Sequence, residues 1–376
     1  MNHILAKLVT CFIYPKEKRK QIRRVVYGLD AKFFIFSPIY LARILLNKVN
    51  KTDLLLVELN PFHMECLYSV YAYLKDKYPQ IIVLATPENI SLKMFPENVR
   101  CLAVYPWIVR FLDRFGYFNQ VKAVFAGSYF VWKQNQTIEK YFSKYLSTGK
   151  PLSAIDHAPG KWSQVHSHYK NVHQFVLADF LSKIYQLPSL YTCLFPSETS
   201  KIKSDCKFLS VGVVGDQTRR DMDTYIDWLD QTSNNNSYVI CSSIDKDYVK
   251  KLNKNNVSLF VRASFSKLFQ CCREAVFLPF LIHEDDLGYY KQAISGNLNL
   301  ALGFGLIPII DKRLADLYGF TDAEATIYNG KSFFYQAMSE AVNMSKSEIL
   351  KKQQALKKLK EKLTIQTLQA INEIID

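Results

Sequence analysis

Short, uninterrupted apolar runs separated by amphipathic stretches dominate the chain. Asp53–Leu59 reads DLLLVEL, Ile81–Ala85 reads IIVLA, and Arg100–Val104 and Lys122–Ala126 follow the same pattern. An apolar run of about five residues without polar alternation fits a strand covered on both faces, as in a parallel sheet. Pro61–Lys77, between the first two runs, reads as a helix with proline in its first turn. Leu152–Ile155 predicts a further strand, Val172–Tyr185 a helix, and Ser189–Phe195 the last strand of the series. Residues 196–207, PSETSKIKSDCK, are polar and aperiodic and read as an interdomain linker.

A second alternating series follows. Phe208–Val214 predicts a strand, GDQTRRD a turn, and the next residues a helix to about Leu229. Tyr238–Ser242, Val257–Val261 and Ala275–Pro279 predict strands, with helical Tyr248–Leu252 and Phe265–Cys272 between them. The stretch Ile294–Asp311 reads ISGNLNLALGFGLIPIID. Ser295, Gly296 and Asn297 open a helix, Leu298–Leu302 continue it, Gly303 and Gly305 stop it, and Ile307–Ile310 forms a buried strand. A small-residue loop feeding a helix start presents backbone N–H groups and the positive end of the helix dipole to an anion. From about Ser345, seven lysines alternate with Leu350, Leu356, Leu359 and Leu363, predicting an amphipathic helix or helix pair packed on the body.

The expected fold is therefore α/β. Two Rossmann-like β/α/β domains, residues 27–196 and 208–344, face a central cleft. A basic amphipathic segment (1–26) precedes them and a C-terminal helix (345–376) follows. The length of 376 residues also favours two domains.

Charge adds a partner class. Lys and Arg number 48 against 34 Asp and Glu, a net charge of +14, which suits a polyanionic partner. Seven basic residues lie between Lys7 and Arg24, beside the apolar series Leu5, Leu8, Val9, Phe12 and Ile13. That combination suits an anionic membrane surface. No recognised nucleic-acid module follows it. The eight cysteines form no Cys-x-x-Cys pair and read as reduced, mostly buried thiols. Phe33–Leu46, interrupted by Pro38 and Arg43, is too short to span a bilayer, and no signal-peptide pattern is seen. The expected location is cytoplasmic, peripheral on the inner face of the cytoplasmic membrane.

The second half resembles the nucleotide-sugar domain of GT-B glycosyltransferases. The likeness rests on Val211–Asp223 (VGVVGDQTRRDMD), Val261–Leu268 (VRASFSKL) and Ser295–Ile310, over roughly residues 205–345. It implies a donor diphosphate near Gly215, Arg219 and Arg220, a base-binding loop at Arg262, and a diphosphate-facing helix start at Ser295, Gly296 and Asn297. The N-terminal half agrees in layout only and would hold the acceptor. The apolar-plus-basic N-terminus is similar to that of bacterial enzymes acting on lipid-linked surface saccharides such as lipopolysaccharide, O-antigen and capsule. Retaining members carry a glutamate opening the diphosphate helix. This chain has Asn297, Leu298, Asn299 and Leu300 there, which leaves the stereochemistry open.

The chemistry narrows the candidates. A guanidinium meets phosphate oxygens bidentately and can stabilise a leaving diphosphate, which favours Arg219 and Arg220. An acceptor base belongs on the N-terminal side. Asp156 and His157 sit at a predicted strand end, with Glu58 and His63 as rivals. The acidic group Glu284, Asp285 and Asp286 is a candidate to serve ribose or donor sugar, with Glu284 as a third catalytic candidate. No histidine spacing matches a zinc site, so no metal is expected and no cofactor beyond the nucleotide-sugar substrate. No Walker loop, Gly-x-Ser-x-Gly elbow or Asp-x-Asp pair occurs. The expected function is transfer of a sugar from a nucleotide donor to a lipid-linked or oligosaccharide acceptor. The alternatives are a nucleotide-sugar epimerase of the same architecture, or a non-catalytic basic protein binding nucleotide or nucleic acid.

Overall fold

The structure, a computed structural model, describes residues 31–161, 167–196, 207–214, 220–232, 236–283 and 286–375. Segment 1–26, assigned above to a membrane surface, lies outside the described residues.

The first sheet contains β1 (Leu54–Glu58), β2 (Ile81–Ala85), β3 (Arg100–Ala103) and β4 (Ala123–Ala126). A two-strand antiparallel hairpin, β5 (Phe130–Val131) and β6 (Gln136–Thr137), stands apart, and β7 (Leu152–Ile155) and β8 (Val172–Phe175) complete the sheet. The second sheet contains β9 (Lys207–Val214), β10 (Asn236–Ile244), β11 (Val257–Val261), β12 (Phe277–Pro279), β13 (Ile307–Asp311) and β14 (Thr326–Tyr328). The strand orders are β3-β2-β1-β4-β7-β8 and β11-β10-β9-β12-β13-β14. Every pairing within both sheets is parallel. The fold is thus the expected pair of α/β units. All five residues of β1 and all five of β13 are buried, as a sheet covered on both faces demands. In each sheet the chain reverses its winding beside the first strand, between β1 and β4 and between β9 and β12. Crevices for ligands open at such switch points, beyond the carboxyl ends of the strands.

Side-chain caps set the helix starts of the second half. Asp221, Asp245, Ser264, Asp286, Ser295 and Asp311 each accept a hydrogen bond from a backbone N–H of the first turn. The helix Gly296–Phe304 ends at Gly305, whose φ of 62° is the left-handed cap that glycine adopts without penalty.

Four expectations are corrected. Helix Pro61–Lys77 is shorter, Met64–Leu74. Asn60 prolongs the loop: its amide donates to Phe130 O (2.9 Å) and its side-chain oxygen accepts from Trp132 N (2.9 Å). Val172–Tyr185 divides into β8 and the helix Asp179–Tyr185, because Val172–Phe175 pairs in register with Leu152–Ile155. Ser189–Phe195 is buried but is no strand. Its backbone is satisfied largely by side chains: Tyr191 N donates to Thr367 Oγ1 (3.1 Å), Leu194 N to Ser69 Oγ (3.2 Å), and Tyr191 O accepts from Tyr73 Oη (2.8 Å). Gly303 does not stop its helix. It sits inside it, where a Cβ would overlap Phe195 and stand 2.9 Å from Cys193 O.

The tail is a single 30-residue helix, Lys346–Ile375. Lys352 Nζ donates to Ala325 O (2.7 Å) in the second half, while Thr367 and Gln366 reach Tyr191 N and Asp179 in the first. The helix therefore packs on the body, as its apolar stripe predicts, and in doing so spans both halves.

Candidate functional site

The site grows from the carboxyl ends of β1, β4 and β7. Glu58, the last residue of β1, is fully buried. Its carboxylate accepts from Asn60 N (2.8 Å) and Ser128 Oγ (2.8 Å). Burial pushes its pKa up to about 7, against the opposing pull of His63 and those two donors. Gly127, just beyond β4, leaves room for this carboxylate: a Cβ there would lie 2.5 Å from Glu58 Oε2, which would have to shift.

His63 caps helix Met64–Leu74 from the left-handed region, φ 68°, without a side-chain capping bond. Strained backbone of this kind points to a positioned side chain. The imidazole lies on that of His157, 3.8 Å between centroids and 13° from parallel. His157 Nε2 donates to Gly127 O at 2.8 Å. Burial and the neighbouring His63 hold the His157 pKa well below its ordinary value, so this ring is neutral. The shift of His63 runs the other way. Burial opposes its charge, but Glu65, whose Oε1 lies 3.6 Å from His63 Nδ1, and then Glu58 outweigh it and raise the pKa. Asp156, 3% exposed, follows β7 and accepts from Ala158 N (3.1 Å).

Cys66 stands one helical turn after His63. Ligand-type atoms of His63, Cys66 and His157 lie within 4.8 Å of one another. Cys66 Sγ donates to Thr192 Oγ1 (3.5 Å), which also accepts from Asn299 Nδ2 (2.7 Å) on the opposite half.

That opposite half supplies cations. Arg220 lies on Gly212 of β9, where a Cβ would come within 2.9 Å of its Nε. The guanidinium carbon is 5.5 Å from the Tyr289 ring centroid. Arg262, exposed and left-handed at φ 54°, follows β11 and donates its N–H to Cys241 O (2.7 Å). At the start of helix Gly296–Phe304, Ser295 N donates to Tyr318 Oη (2.9 Å) and Asn297 N to Ser295 Oγ (3.4 Å). Gly296 is exposed, and the position of a Cβ on it is open space.

These groups meet around two chambers. One, of about 830 Å³, runs from Asn60, Phe62 and His157 to Asp286, Gly296 and Asn299. The other, of about 640 Å³, lies between His63 and Glu65 on one side and Gly212, Arg220 and Arg262 on the other. His63 and Glu65 line both. Of the sequence-derived candidates, His63, Asp156, His157, Arg220, Arg262, Asp286 and Gly296 border the chambers. Ser295 and Asn297 are buried at the helix start behind Gly296. Gly215, Arg219 and Glu284 lie outside the described residues. Glu65 and Cys66 were not singled out. Their only signal is an i, i+2 and i, i+3 placement after His63 at a helix start, which acquires meaning only when His157 is seen to face it.

No protein-family model matches the chain, and no curated protein matches its sequence. Solved structures match its shape. Anabaena Alr3699/HepE in complex with UDP and glucose aligns with 85% of this chain and 98% of its own, at a TM-score of 0.57 and 9% identity. A glycosyltransferase from Rickettsia africae ESF-5 aligns with 86% of this chain and 98% of its own, at 0.55 and 9%. At such identity the likeness establishes the fold: two facing Rossmann-like units of GT-B type with a C-terminal helix across both.

Proposed function

We propose that the chain is a nucleotide-sugar-dependent glycosyltransferase whose acceptor is a saccharide linked to membrane lipid. One observation carries the reading: a carboxylate–imidazole cluster and a pair of arginines face each other across one cavity, with His63 and Glu65 opposite Arg220 and Arg262. Glycosyl transfer needs these two functions on opposite sides. His63, held by Glu65, takes the proton of the acceptor hydroxyl as its oxygen bonds to the anomeric carbon. The bond from that carbon to the nucleotide diphosphate breaks, and Arg220 with the open helix start at Gly296 meets the charge growing on the leaving phosphate. His157, stacked on His63, positions the base, Asp156 lines the larger chamber beside them, and Arg262 flanks the nucleotide. This division of labour is a single displacement that inverts the anomeric centre.

The UDP bound by the Anabaena structure makes UDP-sugars the first donors to test. At the mouth of the larger chamber Phe62 and Trp132, edge to face at 6.4 Å, offer rings on which the C–H face of a sugar packs. Residues 1–26 and the net charge of +14 favour work at the inner face of an anionic membrane, in lipopolysaccharide, O-antigen or capsule synthesis. Nucleotide release from a panel of donors, with and without lipid-linked acceptor, tests the reading. Acceptor-dependent release supports transfer. Interconversion of the free donor would indicate an epimerase, and binding without turnover a non-catalytic protein.

A further inference from the structure

The outer face of a surface helix is ordinarily polar. Helix Pro106–Arg114 departs from this. Ile108, Val109 and Leu112 are buried beneath it, yet its outer face presents Trp107, Arg110, Phe111 and Arg114, with Phe115 directly after. Trp107 is 39% exposed, Phe111 44% and Phe115 73%. Their rings form a ladder, 6.3 Å from Trp107 to Phe111 and 4.9 Å from Phe111 to Phe115.

The neighbouring helix, Ala31–Leu46, continues this surface. Tyr40 meets Tyr105 at 5.5 Å, and Arg100 Nη1 donates to Asn47 O (3.3 Å). It exposes Phe36, Ile39, Leu45 and Leu46. Single exposed apolar residues need no explanation. Here, seven of the fifteen large apolar side chains exposed among the described residues lie on these two helices and the residue following one of them, which is a patch.

Charge selects what covers it. Across residues 36–51 and 100–120 every exposed charge is a cation: Arg43, Lys48, Lys51, Arg100, Arg110 and Arg114. The only acid, Asp113, is buried and accepts from Lys144 N and Tyr145 N. Two such faces repel one another, which disfavours a second copy. Aromatic rings interleaved with arginine suit the boundary of an anionic bilayer, with rings at headgroup depth and guanidiniums on phosphates. In the sequence, the basic stretch between Lys7 and Arg24 precedes helix Ala31–Leu46 by six residues. Trp107 also lies in the first turn of the helix after β3, at the same carboxyl end of the sheet as Glu58 and Asp156.

We propose that helices Ala31–Leu46 and Pro106–Arg114 form the surface on which the protein docks to an anionic bilayer, with Trp107, Phe111 and Phe115 inserted at headgroup depth. The inference rests on the membrane-linked part of the function proposed above and gives it a location. The test is co-sedimentation of the full chain, without donor, with vesicles of phosphatidylethanolamine and phosphatidylglycerol in roughly equal parts, against phosphatidylcholine alone. Trp107→Ser, Phe111→Ser and Phe115→Ser combined lower partition at least about tenfold, at unchanged melting temperature. Arg110→Gln with Arg114→Gln weakens binding to the anionic vesicles only. Should the triple variant not fold, quenching of tryptophan fluorescence by brominated phosphatidylglycerol decides, because Trp107→Phe then removes most of it. Unchanged partition or unchanged quenching overturns the proposal, as does a lipid-free dimer that the aromatic variant dissociates. Deleting residues 1–26 separates their contribution from that of this face. Nucleotide release on a soluble acceptor is read separately, so loss of transfer and loss of docking are distinguishable.

Discussion

The imidazoles of His63 and His157 stack face to face at 3.8 Å, and their surroundings push their affinities for a proton in opposite directions. Two like charges at this separation are strongly disfavoured, so one proton belongs to the pair. Of the two rings, His63, beside Glu65 and Glu58, holds a proton the more readily. His157, tied to Gly127 O, stays neutral beneath it.

A base must lose its proton before it can act. With the His63 pKa raised above its ordinary 6.5, kcat/KM rises with pH through a limb above that value. His63→Gln abolishes the limb and lowers kcat by roughly 10²–10⁴-fold. Glu65→Gln removes the group that holds the proton on and moves the limb to lower pH. A wild-type profile in His63→Gln excludes the base role.

Glu58 makes stability depend on pH. Its pKa of about 7 in the fold exceeds the 4.5 of an exposed carboxyl. The unfolded chain therefore releases this proton first as pH rises, and the stability present below pH 4.5 is lost as pH climbs through about 7. The loss is on the order of 3 kcal/mol. Glu58→Gln keeps an uncharged side chain between Asn60 and Ser128 and flattens this window. Urea unfolding at pH 5 and pH 8 measures it, and an equal slope in both proteins refutes it.

Arg220 depends on the missing side chain of Gly212. Gly212→Ala displaces the guanidinium and weakens donor binding in step with Arg220→Ala, each by about 10–100-fold, the value of a charge-assisted hydrogen bond. Of Arg219 and Arg220, the large loss falls on Arg220. Calorimetric titration with UDP distinguishes these outcomes. Unaltered affinity in Gly212→Ala would show that the contact is not used.

Gly303 lets the helix of one half lie against the last segment of the other. Gly303→Ala forces apart Phe195 and Cys193 O and costs about 2–3 kcal/mol. Phe195→Leu in the same chain recovers part of the loss. Denaturant unfolding tests this, and additivity of the two substitutions would contradict a shared contact.

The alternation that builds both sheets was legible because a five-residue apolar run is a local signal, and β1, β2, β4 and β13 fall where such runs occur. Val172–Tyr185 was misread because its apolar residues also satisfy a helical period. Only pairing with β7 shows that Val172–Phe175 is extended. Ser189–Phe195 has the composition of a strand, but the hydroxyls of Ser69 and Thr367 take ladder positions that no local pattern announces.

By itself the sequence determined the α/β class, the two alternating series, the helix start at Ser295 and an amphipathic C-terminal stretch, because periodicity, caps and turn residues act over a few neighbours. The sequence named His63, His157 and Arg220 as candidates, but only the tertiary structure brought them together. His63 and Glu65 meet His157 only because β1 and β7 flank β4 in one parallel sheet. Arg220 faces them only because the chain crosses between the halves. Protonation follows from burial and nearby charge, which are properties of where side chains converge in space, so the opposite shifts of His63 and His157 could not be read from residues so far apart along the chain.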